Sequence, residues 1–381
     1  MSMENNSKTS KPEKYISITA VGDVMPGGLF SERIDEFQCT WLSPQIHSQL
    51  DSDIVFCNLE CPILDARTPS SDKSGLHATE KAIQAVRQGN FNVVSLANNH
   101  MMDYGHDGLL QTMQLLDENK IKHSGAGKTL VEARKPAILE ARGISVGMHA
   151  YISPFYFRGT LKIATENTPG LAPLDMEMVK KDIESTKKEC DIVIVSIHWS
   201  IEHTYYVPPQ NINVAREILN SGADIIFGHH PHVLQGYEMY KDKIALYSLG
   251  NFLFPAFFAM DGKCCWDKKH RTSAIFKCVM TKNGNLVDYD FIPVLQKDDN
   301  NPILNIPAEE YGNKVLHHIQ KWSELYRQPY YPLEFNFGYR KDKLGNIIRS
   351  IASHIKQEGF INTFRKKTRI IKYLNDFIRA R

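Results

Sequence analysis

"ADIIFGHHPH", residues 223–232, carries an apolar run that stops abruptly in a cluster of imidazoles. Ile225, Ile226 and Phe227 have the length and β-branched character of a buried strand. Three of the last five positions are histidine. Imidazole is both a common metal ligand and a proton carrier near neutral pH. The stretch by itself leaves three readings open: a metal site, a proton-transfer site or a decorated turn. The two histidines of "HPH" are read as serving two ions or as drawn together by a tight turn.

The same design recurs along the chain. "ISITAVGD" ends at Asp23, "DIVFCNLE" at Glu60 and "NVVSLANNH" at Asn99 and His100, and "DIVIVSIHW" carries His198 near its end. Between these runs lie helix-like segments: "TEKAIQAVRQG" with Thr79 as cap, "HDGLLQTMQLLDENK", "MEMVKKDIESTKKEC" and "NINVAREILNSG". Alternation of strands and helices predicts an α/β sheet, and in such sheets ligands gather beyond the carboxyl ends of the strands. Further on, "KIALYSLGNFLF", "SAIFKCVMT" and "LVDYDFIPV" read as strands, the last two joined by the turn signal "TKNGNL". Residues 308–328 and 343–380 read as helices, the second ending in the basic, amphipathic "FRKKTRIIKYLNDFIRAR". Residues 1–14 read as a disordered tail, 15–300 as the main domain and 301–381 as a helical extension.

The bulk numbers set outer bounds. Of 381 residues, 42% are hydrophobic and 23% charged, which suits a globular chain with a large core. A net charge of +2 gives no argument for nucleic-acid or membrane binding. The seven cysteines are irregularly spaced and form no CxxC pair, so they read as thiols in a reducing compartment. "MSMENNSKTSKPEK" lacks the apolar stretch of a signal peptide, and nowhere do eighteen apolar residues run together. The expectation is a cytoplasmic protein with no transmembrane segment.

Asp23, Glu60, Asn99, His198, His230 and His232 form a set with the right composition for metal. Hard divalent cations take carboxylate and amide oxygens, while zinc and iron also accept imidazole. Two ions about 3.5–4 Å apart need a bridging carboxylate. Each residue also has a plainer reading: Asp23 after Gly22 as a turn residue, Asn98 and Asn99 in a left-handed turn, Glu60 as a solvated loop carboxylate, a lone strand-end histidine as a hydrogen-bonded structural residue. The joint pattern is what favours a site. Trp199 is a pocket wall or core packing. Glu202 and His203 are an acid/base pair or a solvated loop, and Asn251 contacts substrate or holds a turn. Asp103 orients His100 or caps a helix. His229 is expected outside the ligand set. Tyr205 and Tyr206, in "YYVPPQN", are read as substrate contacts on a loop beside the cleft.

"VGDVM", "NLECP", "SLANNHMMDYG", "IHWSIEH", "GADIIFGHHPHVLQG" and "YSLGNFLF" resemble, in order, the CapA/PgsA family of poly-gamma-glutamate capsule synthesis proteins, across about residues 16–255. That family looks like a branch of the calcineurin-type metallophosphoesterases. The resemblance implies an α/β fold, a sandwich of two mixed β-sheets flanked by helices. It implies Asp23, Glu60, Asn99, His198, His230 and His232 as ligands of one or two divalent ions (Mn, Zn or Fe), with Glu60 where a bridging aspartate is usual. It implies His100 as the residue that contacts the transferring group or protonates a leaving group. Asp103 and Glu202 are the further catalytic candidates, taken from their own positions in the motifs. Met25 stands where the superfamily has a histidine, and a thioether is a poor ligand for a hard ion.

Three functions remain open at this point. The first is a metal-dependent hydrolase in synthesis of poly-gamma-glutamate or a related peptide polymer. The second is a metal-independent peptide epimerase or tailoring enzyme using Asp/His acid–base chemistry. The third is a non-catalytic accessory subunit that binds a synthase partner through the basic tail. The substrate expected is peptide or polyglutamate-like, with no nucleic acid involved.

Overall fold

Every residue of Ile54–Leu59, Ile192–His198 and Ile225–His229 is buried. Strands covered on both faces belong in the middle of sheets that are themselves covered on both sides. The computed structural model describes residues 14–32, 35, 41–65, 75–156, 161–259, 262–298 and 303–341. The main strands are β1 (Tyr15–Val24), β2 (Ile54–Leu59), β3 (Val93–Ser95), β4 (Lys122–Ser124), β5 (Ala137–Ala141), β6 (Ile144–Ile152), β7 (Ile192–His198), β8 (Ile225–His229), β9 (Tyr237–Tyr240), β10 (Lys243–Leu246), β11 (Asn251–Leu253), β12 (Thr272–Thr281), β13 (Leu286–Gln296) and β14 (Leu304–Asn305). The main helices are α1 (Ile83–Gln88), α2 (Gly105–Glu118), α3 (Met176–Thr186), α4 (Pro209–Asn220) and α5 (Glu309–Tyr326).

Two mixed sheets face each other. The first runs β14-β13-β12-β1-β2-β3-β4, with β11 added beside the end of β1; the second runs β9-β10-β8-β7-β6-β5. Ile54 and Phe56 of β2 point between the sheets into one cluster with Ile194, Ile225 and Phe227. Phe56 stacks on Phe227 with ring centroids 5.1 Å apart. Val55, Cys57 and Leu59, one residue out of phase, face the other way and pack under Val86 of α1 and Leu109 and Leu116 of α2. Val179 and Ile183 of α3 and Ile212, Ala215 and Ile218 of α4 cover the outside of the second sheet. The sandwich of two mixed sheets flanked by helices is the architecture the resemblance implied.

The parallel runs β1-β2-β3 and β6-β7-β8-β10 put their carboxyl ends at one place. Asp23 stands opposite Asn58, and His198 opposite His229. "KIALYSLGNFLF" is not one strand. Its first part is β10 in the second sheet and its last part β11 in the first. The chain crosses at Gly250, whose φ is +71°. A Cβ on Gly22 would lie 1.8 Å from the Gly250 carbonyl oxygen. Glycine at Gly22 is thus what lets β11 run against the end of β1, with Asp23 N donating to Gly250 O at 2.9 Å, and it brings Asn251 beside Asp23.

The expected helix over 308–328 is α5, and it is knit into the sandwich. Val315 and Ile319 join the cluster between the sheets, Tyr237 N donates to Ser323 Oγ at 2.8 Å and Tyr326 Oη donates to Tyr205 O at 2.7 Å. The tail over 1–13 and the helix over 343–380 lie outside the described residues. Cys57, Cys61, Cys190 and Cys278 are buried free thiols. Among the described residues, no helix is long and apolar enough to cross a membrane.

His149, on β6, is buried away from the strand ends. Its Nδ1–H donates to Arg134 O at 3.1 Å, so Nε2 accepts from the Thr186 hydroxyl at 2.8 Å. Burial pushes this imidazole down to about 4. The fold therefore keeps its full stability above the ordinary histidine value, about 6.5, and loses some as pH falls from there towards 4. A single such group contributes about 3 kcal/mol across that window. In urea unfolding at pH 7 and pH 4.5, His149→Gln is expected to flatten the pH dependence by an amount of that order. Parallel pH dependences for the two proteins would refute the assignment.

Candidate metal centre

Asp23 is the hub. Its Oδ1 accepts from Asn58 Nδ2 at 2.9 Å and lies 3.1 Å from His229 Nδ1. Its Oδ2 lies 3.4 Å from both the His230 backbone N and His232 Nδ1. Asn58 reaches from the same amide to Glu60 Oε2 at 3.1 Å. Asn58 and Glu60 are two residues apart, so they project from one side of β2 and its extension. Strand ends from both sheets thus converge on one buried polar cluster.

The HPH turn closes it. His230 and His232 have φ of +95° and +56°, a backbone region that L-residues with a Cβ rarely adopt. The residue before a proline is also normally extended. Strain of this kind persists only where the surroundings over-determine it, and it concentrates at functional sites. Its effect here is to bring the two imidazoles together, ring centroids 5.9 Å apart. Asn251 Oδ1 holds His232 Nδ1 at 2.8 Å, which leaves Nε2 as the nitrogen facing Glu60. Asn98 and Asn99 have no positive φ, so the left-handed-turn reading is corrected. Asn98 instead ties the loop with its side chain, donating to Leu59 O at 2.8 Å and accepting from Met101 N at 3.0 Å. Asn99 Oδ1 lies 2.8 Å from His198 Nε2.

Glu60 Oε1 is the telling atom. It is buried and has no hydrogen-bond partner among the described residues. Two imidazole nitrogens flank it beyond bonding distance, His232 Nε2 at 3.6 Å and His198 Nε2 at 3.8 Å. Donors around one ion at bonds of about 2.1 Å sit roughly 3.0–3.5 Å from each other, so a small closure brings these three to ligand geometry. Ligand atoms of Glu60, His198 and His230 lie within 4.8 Å of one another, as do those of Asp23, Glu60 and His232, and those of Glu202, His230 and His232. Glu60 is common to the first two groups, the position a bridging carboxylate occupies. Met25 stays out: it is buried in the apolar cluster under the first sheet, and its Sδ accepts from Gly27 N at 3.2 Å. The residues present fit a divalent ion.

The charges are arranged asymmetrically. Burial opposes ionisation of Asp23, but hydrogen bonds from His229 and His232 outweigh it and hold the carboxyl well below its usual range. Burial and the Asp23 charge push the Glu60 carboxyl well up. Burial depresses His198 far below the ordinary value, with His230 adding to it, and it brings His230 down to about 4. His232 goes the other way: burial would lower it, yet Glu60 and Asp23 raise it to about 10. Protons thus occupy the carboxylate-rich side of the cluster, and a cation competes with them there.

His100, next to Asn99 in the chain, has 27% of its side chain exposed. Asp103 Oδ2 holds its Nδ1 at 2.9 Å and also accepts from Leu76 N at 2.9 Å. Asp103 therefore orients His100; the residue at the start of α2 is Tyr104, so it is not the helix cap. Trp199 is buried, stacked on Tyr247 at 6.1 Å, which settles it as core packing. Tyr205 packs on His318 and Trp322, and Tyr206 on Trp322 and Phe335, so both serve to anchor the loop to the C-terminal helices. Glu202 sits half-exposed at the rim, with His203 Nε2 3.8 Å away. Asn58 was not singled out from sequence, nor were His270 and Asp267, which join His203 in one polar group. Asn58 carried a signal, its spacing of two from Glu60. His270 and Asp267 lie in a turn that no periodic run marks.

Residues 17–256 match the family described as bacterial capsule synthesis protein PGA_cap. The capsule biosynthesis protein CapA of Bacillus anthracis is 32% identical over 253 residues, 64% of this chain and 61% of its own length. This chain thus spans about three fifths of that relative. The PGA biosynthesis protein CapA of Bacillus subtilis (strain 168) is 31% identical over 291 residues, covering 73% of this chain and 72% of its own. Among solved structures, the 5'-nucleotidase precursor of Thermus thermophilus superposes with a TM-score of 0.40 at 12% identity, over 83% of this chain and 60% of that one.

Proposed function

The chain belongs to the PGA_cap family of bacterial capsule synthesis proteins, and from that premise we propose that it is a metal-dependent hydrolase acting in the synthesis of poly-gamma-glutamate or a related peptide polymer. The observation that carries the reading is the buried, unpartnered Glu60 Oε1 between the His198 and His232 nitrogens. An uncompensated polar atom in that position costs free energy unless something completes it. Asp23, Glu60, Asn99, His198, His230 and His232 are the residues proposed to hold one or two divalent ions. When bound, such an ion lowers the pKa of water towards neutrality and polarises a phosphoryl or carbonyl oxygen.

The chain's own residues do the rest. Asn58 and His229 fix the Asp23 carboxylate, and Asn251 fixes the His232 ring. Such partners set ligand orientation and the tautomer of a ligating imidazole. His100, held through Nδ1 by Asp103, moves a proton through Nε2 to the leaving group. Buried thiols suit the reducing cytoplasm in which we place the protein, where it works alongside the polymer's synthase. The test is a hydrolysis screen of aryl phosphoesters and gamma-glutamyl peptides before and after exhaustive chelation. Activity on one class, abolished by the chelator and restored by manganese, zinc or iron, is the expected result. Full activity in the chelated protein would instead favour metal-free Asp/His chemistry.

A further inference from the structure

Glu202 is set apart from the other ligand-bearing residues. Half of its side chain, 49%, is exposed, whereas His230 and His232 are buried. Yet one of its carboxylate oxygens lies within 4.8 Å of a nitrogen from each of those histidines. The backbone enforces this. Ser200 and His203 have φ of +78° and +65°, so the chain after β7 doubles back. It is then pinned to the HPH turn: Trp199 N donates to His229 O at 3.1 Å, and His203 N donates to Pro231 O at 2.8 Å. A second tie comes from the other side. Lys269 Nζ donates to His203 O at 3.0 Å, and His270 Nε2 lies 3.1 Å from His203 Nδ1. Two strained non-glycine residues held from two directions are maintained for what lies between them, and that is Glu202. Two imidazoles and one carboxylate with ligand atoms this close match the two-histidine, one-carboxylate set that takes a divalent transition metal.

We propose that Glu202, His230 and His232 form an outer cation position at the mouth of the cleft, with Glu202 acting as a metal ligand. The proposal rests on the reading of the inner cluster as a metal centre. The inner groups draw on the same two histidines, each with Glu60. An imidazole nitrogen serves one ion, so with both positions filled Asp23, Glu60, Asn99 and His198 hold the inner ion and Glu202, His230 and His232 the outer one. The outer position differs in having a solvent-open carboxylate, so it is the weaker and faster-exchanging of the two. It is also the place where an ion meets an incoming anionic group first.

The test uses the metal-free full chain titrated with cobalt(II), read by visible absorption and by bound cobalt per chain. Wild type is expected to fill in two phases. Glu202→Gln should keep the tight phase, weaken the second at least about tenfold and change the visible band, while Glu202→Asp restores part of the second phase. Far-UV circular dichroism confirms folding, which a half-exposed loop substitution leaves intact. A Glu202→Gln isotherm and spectrum superimposable on wild type would overturn the outer position and leave the inner centre standing. A wild type that takes up no cobalt would overturn both.

Discussion

Glu60→Gln is expected to abolish metal binding at the inner centre and to reduce hydrolysis by about 10³-fold or more, while leaving the fold intact. The two halves of that expectation have separate causes. Burial and the neighbouring Asp23 charge raise the Glu60 carboxyl well above its usual range, so without metal the residue is held as the neutral acid. Glutamine is close in shape and charge to that form, and its side chain can still meet Asn58. Unfolding of the metal-free variant should occur at the same temperature as metal-free wild type or above it, because Glu60 releases a proton on unfolding at neutral pH, which favours the unfolded chain, and glutamine does not. With metal the situation reverses. Glu60 belongs to both inner ligand groups, and an amide is a far poorer bridge than a carboxylate. Several kcal/mol of transition-state stabilisation, at about 1.36 kcal/mol per decade, gives the expected loss. A Glu60→Gln protein with wild-type metal content and activity would remove Glu60 from the centre.

His100→Asn is expected to lower kcat by about 10²–10⁴-fold with metal content unchanged. Nδ1 of His100 is taken by Asp103, so the proton passes through Nε2, which asparagine cannot replace. The loss should shrink for substrates whose leaving group needs no proton. Comparing p-nitrophenyl with alkyl leaving groups separates this role from binding: equal losses on both would argue that His100 contacts the transferred group and does not protonate the leaving one. Asp103 acts through His100 and should show a smaller loss of the same kind.

The strand ends were legible because each buried run is rich in β-branched residues and stops at a polar one, and the chain places those stops where parallel strands finish. Glu60, Asn99, His198 and the HPH pair were therefore visible as a set. The turn geometry was not. A left-handed backbone at His230, directly before a proline, runs against its local preference and exists only because Asp23, Asn251 and the 199–203 turn hold it. The β5–β6 hairpin escaped notice for a related reason: its two-residue turn is Arg142–Gly143, both at positive φ, and arginine is not the residue that usually announces such a turn. The division of "KIALYSLGNFLF" between two sheets depends on Gly22 meeting Gly250, far away along the chain, which no local pattern encodes. Glu202 was read from sequence as a proton-transfer residue, and only its distance from His230 and His232 brought out the ligand role.

The most direct measurement is the metal content of the full chain purified without chelators and after reconstitution with manganese, zinc and iron, counted per chain by mass spectrometry. The account predicts one or two tightly held ions, with any further ion at the Glu202 position lost on dialysis. A folded protein that holds no ion under any of these conditions would contradict it.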